Sequence, residues 1–215
     1  CVALGLPVAL WMSSLSRGAR DIAVLLITIP FWTSYLIRVF QWKVILSYNG
    51  VINSGLKSLG IIEQPLTFIL YNVNSIVITL AHAYAPFAIL PIFIALEKID
   101  RSLLEAGRDL GESRAMTFWR VTLPLAMPGV VAASLIVFIP TIGDYVTPTL
   151  IGGGKIPMIA NMIQAQMLDL DNRPLGSALA VTAMLIVAVI SLIFVAMNRR
   201  FLKVRQIGRA SCRER

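Results

Sequence analysis

The sequence predicts an all-α, polytopic transmembrane helical bundle, on three observations. The composition is 57% hydrophobic and 14% charged, with a mean hydropathy of +0.79, more apolar than one soluble core can hide. The apolar residues gather in runs near the length that crosses about 30 Å of hydrocarbon at about 1.5 Å per residue. The charges gather between those runs, most densely in "EAGRDLGESRAMTFWRVTLP", Glu105 to Pro124.

The opening run "CVALGLPVALWM" is shorter than the roughly 20 residues a span needs. It is expected to be the tail of a cut helix, in a chain truncated at its N-terminus. Four spans follow: Ile22 to Phe40, Val73 to Leu96, Leu125 to Val146 and Leu175 to Met197. Pro30, Pro86, Pro91 and Pro140 fall inside them. Each proline removes a helical donor and leaves a carbonyl to be satisfied elsewhere, which suits a kinked helix lining a route. The last span carries no proline and little polarity, and reads as lipid-facing or peripheral. In the connector from Arg38 to Asn72, "NGVINSGLKSLGI" has apolar residues near helical spacing, the pattern of an amphipathic helix at the interface. The connector from Thr147 to Pro174 mixes apolar residues with Asn161, Gln164 and Gln166. One membrane domain, 1–205, accounts for all of this. The segment 206–215, "QIGRASCRER", breaks from what precedes it and is expected to be a non-native tail.

Orientation follows from the basic residues. Arg17, Arg20, Lys98, Arg101, Arg108, Arg114, Arg120, Arg199, Arg200, Lys203 and Arg205 fall on one side, against Arg38, Lys43, Lys57, Lys155 and Arg173 on the other. The positive-inside bias places Glu105 to Pro124 in the cytoplasm. The net charge of +8 lies in short segments flanking apolar runs, without the basic stripe that nucleic-acid binding requires. Two cysteines at opposite ends and a single histidine, His82, offer no clustered metal ligands; no cofactor is expected. His82 reads as a packed or hydrogen-bonded residue. Gly152 to Gly154 precede Lys155 and Ile156 without the spacing of a phosphate-binding loop, so ATP hydrolysis by that route is excluded. No span carries paired carboxylates or a Ser/His arrangement, and the chain is not expected to be an enzyme.

Within the charged island, Ser102 followed three residues on by Glu105 predicts a capping box, opening a short helix that Gly111 ends. A second short helix is expected from Ser113 to about Arg120, with Pro124 starting the next span. A purely solvated loop needs neither two helices nor the apolar Leu103, Leu110, Phe118 and Val121. Small residues at Ala106 and Gly107 would let a partner approach closely. Capping alone remains a reading for Glu105, and turn formation alone for Gly111.

This island resembles the cytoplasmic coupling loop of ABC importer permeases, whose pattern is Glu-Ala-Ala, three residues, Gly, nine residues, Ile, one residue, Leu-Pro. Here Glu105, Ala106, Gly107, Gly111, Val121, Leu123 and Pro124 keep both spacings, with Gly107 for the second Ala and Val121 for Ile. "IPFWTSYLIRVFQWKVIL", "GVINSGL", "LLEAGRDLG", "VTLPLAMPGV" and "GDYVTPTLIGG" are similar, in order, to the permeases of spermidine/putrescine-type ABC importers. The resemblance implies a type I ABC importer permease fold in a bacterial inner membrane. Members have six spans, so this chain would lack the first and most of the second. Implied partners are a cytoplasmic ATP-binding subunit, whose groove takes the helix from Glu105 with Leu110 as apolar anchor, a second related permease, and a periplasmic or extracellular substrate-binding protein. A polyamine path should offer carboxylates and aromatic faces. Candidates are Asp144 and Tyr145, with Trp32, Tyr35 and Trp42 as a cation-accepting wall and Asn74 and Ser75 at the start of a span. The alternatives stay open: a helix-end role for Asp144, an interfacial anchor for Trp42, helix capping for Asn74 and Ser75. Rival cargoes are ferric ion and sulfate; outside transport, a noncatalytic membrane scaffold.

Overall fold

The computed structural model of the chain describes residues 1–109 and 111–203. Leu110 and the segment 206–215 lie outside the described residues. In chain order the helices are α1 (Val2–Ser13), α2 (Arg17–Thr28), α3 (Tyr35–Ile45), α4 (Val51–Ser58), α5 (Val73–Glu97) and α6 (Arg101–Asp109). Then come α7 (Arg114–Ile142), α8 (Val146–Ile151), α9 (Ile159–Gln164), α10 (Arg173–Met197) and α11 (Arg199–Lys203). Three of these are long and apolar enough to cross a membrane: α5, α7 and α10. The spans expected from Val73 and from Leu175 are therefore present, and α4 occupies the segment expected to be amphipathic.

The span expected from Ile22 to Phe40 is not a single helix. After α2 the chain tightens into a 3₁₀ turn at Ile29–Trp32, and α3 leaves at 92° to the preceding helix. Pro30 supplies no N–H and its ring crowds the carbonyl one turn back, so the α-helical ladder cannot continue through it. Thr33 and Ser34 then take extended ψ angles of 144° and 137°. The other prolines behave differently, since Pro86 and Pro91 lie within the continuous α5.

The break expected before Pro124, by contrast, is absent. The short helix from Ser113 runs on into the span through a π turn at Phe118–Thr122, giving one helix to Ile142. Pro124 has no donor for the carbonyl four residues back. The wider turn lets the Leu123 N–H reach Phe118 O instead, so the ring is absorbed without a break. The same helix ends at Ile142, which leaves Asp144 and Tyr145 in the connection to α8 and outside the span expected to reach Val146.

The chain divides into two compact units. The first comprises Cys1, Leu25–Ala85 and Phe138–Ile186. Its core is Val39, Ile76, Leu80 and Ile151, with Tyr35, Trp42, Tyr84 and Val146 packed around it. The second comprises Val2–Val24, Pro86–Val137 and the chain from Val187. Here α5 and α7 cross closely at Gly129. A Cβ there would stand 2.5 Å from Ala95 Cβ and 2.6 Å from the Pro91 carbonyl oxygen, so only glycine allows this approach. Arg20 and Glu97 form an ion pair in the same unit. Along α10 only Gly176 is buried, while Met184, Leu185, Leu192 and Met197 are exposed. An apolar helix without a buried face within the chain agrees with the expectation of a lipid-facing or peripheral helix.

Candidate functional site

The charged island folds as a compact knob. Its first helix, α6, is capped by Asp100, whose Oδ1 accepts the Ser102 N–H at 3.0 Å. The cap is therefore two residues upstream of the expected Ser102, because Asp100 meets the same N-terminal donors with a charged acceptor. Those hydrogen bonds from Ser102 hold the Asp100 carboxyl below its ordinary value. Gly111 ends the helix as predicted, with φ of 80°, and the Glu112 N–H returns to Gly107 O at 3.1 Å, the six-to-one bond of a Schellman ending. Ser113 caps the next helix by accepting the Met116 N–H at 3.3 Å, and Arg120 pairs with Glu112 at 2.9 Å.

Glu105 and Ala106 face solvent. Gly107 does not: it is buried, and a Cβ there would meet Thr117 at 3.3 Å. Its smallness thus serves the packing of α6 on the start of α7, correcting the expectation that it opens space for a partner. Val121, Leu123 and Pro124 are half-buried in the π turn and just beyond it. Leu103, Met116 and Trp119 are exposed, Trp119 at 65%, so the knob presents apolar side chains to its surroundings as well as Glu105 and Ala106.

The second constellation is polar and lies in the first unit. Asp144 is 6% exposed. Its Oδ1 accepts the N–H groups of Val146 at 3.0 Å and Thr147 at 3.2 Å, capping α8. Its Oδ2 accepts the Tyr35 hydroxyl at 2.5 Å, and Tyr35 also meets Thr147 Oγ1 at 2.7 Å. The helix-end reading of Asp144 is thus correct for this conformation. The Tyr84 ring lies 6.1 Å from that of Tyr35, and the Arg38 guanidinium sits 5.8 Å from the Tyr35 centroid. Arg38, placed among connector cations by its sequence, is buried within α3. Its Nη1 donates to the Ala83 carbonyl at 3.1 Å, three residues before Pro86, while Nε has no partner among the described residues.

The other path candidates disperse. Trp32 ends the 3₁₀ turn and is 88% exposed, and Tyr145 is half exposed at the start of α8. Trp42 Nε1 donates to His82 Nδ1 at 3.0 Å, which leaves His82 hydrogen-bonded as expected. Ser75 and Asn72 cap the start of α5 reciprocally: Ser75 N–H to Asn72 Oδ1 at 3.1 Å and Asn72 N–H to Ser75 Oγ at 3.1 Å. Ser75 is 1% exposed, and in this conformation it serves as a cap. Asn74 is exposed and donates to the Phe68 carbonyl at 3.1 Å.

Residues 2–203 match the family described as "Binding-protein-dependent transport system inner membrane component". The chain belongs to this permease family. The spermidine/putrescine transport system permease protein PotB of Salmonella typhimurium is 37% identical over 90% of this chain and 67% of its own length. The protein of the same description from Haemophilus influenzae is 37% identical over 93% of this chain and 69% of its own. Among solved structures, a bacterial alginate ABC transporter in complex with its pentasaccharide-bound periplasmic protein matches with a TM-score of 0.72 at 19% identity. That match covers 93% of this chain and 72% of that one. The fold is that of the type I ABC importer permeases. The permease is accordingly a membrane-spanning transport subunit of an ABC-type importer and not an enzyme. Arg38 is the permease residue that sequence reasoning missed. An arginine between apolar neighbours in "SYLIRVF" was the available signal, since an unneutralised cation inside an apolar run needs a buried acceptor.

Proposed function

We propose that the permease passes a polyamine of the spermidine/putrescine class and that its α6 knob couples this to ATP hydrolysis by a separate cytoplasmic subunit. The observation that carries the cargo is the set of spermidine/putrescine permeases at 36–37% identity over about nine-tenths of the chain. The Tyr35–Asp144–Tyr84 cluster is compatible with it, because a carboxylate beside two aromatic rings suits an alkylammonium. The carboxylate is occupied in this conformation. Cargo would have to replace the Tyr35 hydroxyl with an ammonium N–H, an exchange of one hydrogen bond for a charge-assisted one.

In this reading Glu105 and Ala106 present the knob, Leu110 anchors it, Gly111 sets its turn, and Val121, Leu123 and Pro124 join it to α7. Docking into the ATPase groove makes approach of two ATPase subunits a rigid-body pull on two permeases, this one and a second, related permease subunit. A periplasmic or extracellular binding protein delivers the cargo. One observation favours a second cargo class. The buried Arg38, whose Nε has no partner among the described residues, would suit an oxyanion such as sulfate.

The test is uptake of radiolabelled spermidine, putrescine and sulfate into cells in which the full-length gene replaces the native permease, alone and as Glu105→Arg. Polyamine uptake that Glu105→Arg abolishes at unchanged membrane level supports both halves of the proposal. Sulfate uptake without polyamine uptake overturns the cargo, and full uptake by Glu105→Arg overturns the coupling role.

A further inference from the structure

Arg38 and Asp144 are opposite charges buried beside one tyrosine, and neither has a charged partner. Arg38 is 7% exposed and Asp144 6%. Both are covered by this chain's own atoms, so their burial does not depend on what else packs against it. The carboxylate is held by neutral donors, the N–H groups of Val146 and Thr147 and the Tyr35 hydroxyl. The guanidinium rests on a neutral acceptor, the Ala83 carbonyl at 3.1 Å, and its Nε has no partner among the described residues. No ion pair among those residues includes either group. A buried cation gains far more from a carboxylate than from a carbonyl, so Arg38 is parked on the weaker of two acceptors.

The stronger acceptor is within reach. Tyr35 and Arg38 stand three residues apart on α3, so their side chains share a face, and the two extend to similar lengths. The Tyr35 hydroxyl touches Asp144 Oδ2, and the Arg38 guanidinium lies 5.8 Å from the centre of the Tyr35 ring. A change of rotamer can therefore carry the guanidinium to the same carboxylate while α3 stays in place. Little is stranded by the exchange. Tyr35 keeps Thr147 Oγ1 at 2.7 Å, and four residues on from Ala83 stands Phe87, which has the N–H of a helical donor where Pro86 has none.

We infer that Arg38 is the built-in competitor of a cationic cargo for Asp144. Parked on the Ala83 carbonyl, it leaves Asp144 to a neutral hydroxyl that an ammonium can displace; released from that carbonyl, it takes the carboxylate and expels the ammonium. This rests on the polyamine reading above and adds the step that discharges the site. The parking acceptor lies on α5, which leads in sequence into α6, whereas Arg38 and Tyr35 lie on α3 and Asp144 caps α8. A shift of α5 past α3 breaks the Arg38 bond to Ala83 without touching the Tyr35 bonds. Release of cargo then follows from movement of the helix joined to the knob. In this role Arg38 acts through Asp144 as a positioning residue, the opposite of its part as a ligand in oxyanion transport.

The experiment measures concentration-dependent uptake of radiolabelled spermidine, and uptake of sulfate, by the complete transporter expressed from the full-length gene and its partners. Arg38→Gln and Arg38→Met remove the charge, the second keeping a long unbranched stem, and Arg38→Lys retains it; membrane level is measured for each. With the competitor gone, KM for spermidine should fall on the order of tenfold, the size of one unit-charge interaction at about 10 Å and an effective dielectric of about 20. Vmax should fall several-fold because release slows. Lost packing alone lowers Vmax without lowering KM. Arg38→Lys should return both constants towards wild type, and in an Asp144→Asn background, where no carboxylate is contested, Arg38→Gln should leave KM unchanged. Wild-type polyamine uptake with an unchanged or raised KM in the neutral variants overturns the inference and leaves the cargo reading standing. Failure of both neutral variants to reach the membrane, where Arg38→Lys does, makes Arg38 a strut and overturns it as well. Sulfate uptake without polyamine uptake by the wild type overturns the cargo reading, and the inference with it.

Discussion

Tyr35→Phe removes one oxygen and leaves the ring, so it isolates the hydroxyl that joins α3 to α8. Two contacts go: the 2.5 Å bond to Asp144 Oδ2 and the 2.7 Å bond to Thr147 Oγ1. Asp144 is 6% exposed, so Oδ2 is left without a donor and with little water to supply one. Stranding a buried acceptor costs about 1–3 kcal/mol, toward the upper end for a charged one. Thr147 can turn its hydroxyl toward the vacated oxygen, which sets the expected loss near 2 kcal/mol. For a chain of this size that corresponds to roughly 4–8 °C in melting temperature. The measurement is thermal unfolding of the assembled transporter in nanodiscs, beside concentration-dependent spermidine uptake. If the phenol and the cargo amine compete for one carboxylate, the variant melts lower and its KM falls several-fold. An unchanged melting temperature refutes the stranded-acceptor reasoning, and a raised KM refutes the competition.

Two further predictions concern packing and capping. Gly129→Val places branched carbon where even a Cβ meets Ala95 at 2.5 Å; overpacking of this kind costs about 1–3 kcal/mol, and membrane abundance should fall while Ala132→Ser is tolerated. Asp100→Ala should fray the first turn of α6, read as faster amide exchange at Ser102, whereas Asp100→Asn keeps the cap. Because the folded carboxyl titrates below the ordinary value of 3.8, its cap is fully present above that value and is lost as pH falls through the lower, folded one. Protection of Ser102, corrected for intrinsic exchange, should therefore hold at neutral pH and fade only in strong acid.

What the sequence made legible were features set by many residues acting alike. The spans α5 and α10 follow from unbroken apolar length, α4 from a period, and the end of α6 from the one residue type that takes φ of 80° without strain. Features decided by single backbone choices were hidden. Pro30 announces trouble, but the 92° turn depends on the extended ψ of Thr33 and Ser34, residues with no strong preference of their own. Pro124 announces the same trouble and yields a π turn instead. Asp100 and Ser102 both satisfy the capping rule, and only the helical frame chooses between them. In the candidate site, Gly107 looked like an opening because its neighbour Thr117 is ten residues away in the chain.

The buried charges Arg38 and Asp144 sit on none of the three long spans. Arg38 lies on α3 and Asp144 caps α8, both short helices, and they are linked through a single tyrosine that stacks with one and bonds the other. Separated, each would leave a charge in low dielectric without its neighbour, which costs far more than any one of the contacts. A transport motion that carries α3 and α8 together conserves the Tyr35 bonds to Asp144 and Thr147, and it keeps Arg38 on the Ala83 carbonyl only if α5 moves with them. A motion that slides them apart must supply a substitute, water or a cationic cargo, at the moment the Tyr35 bond opens. The break after Pro30 turns α3 away from the axis of α2, and it is from this turned helix that Tyr35 reaches Asp144 and Arg38 reaches the Ala83 carbonyl.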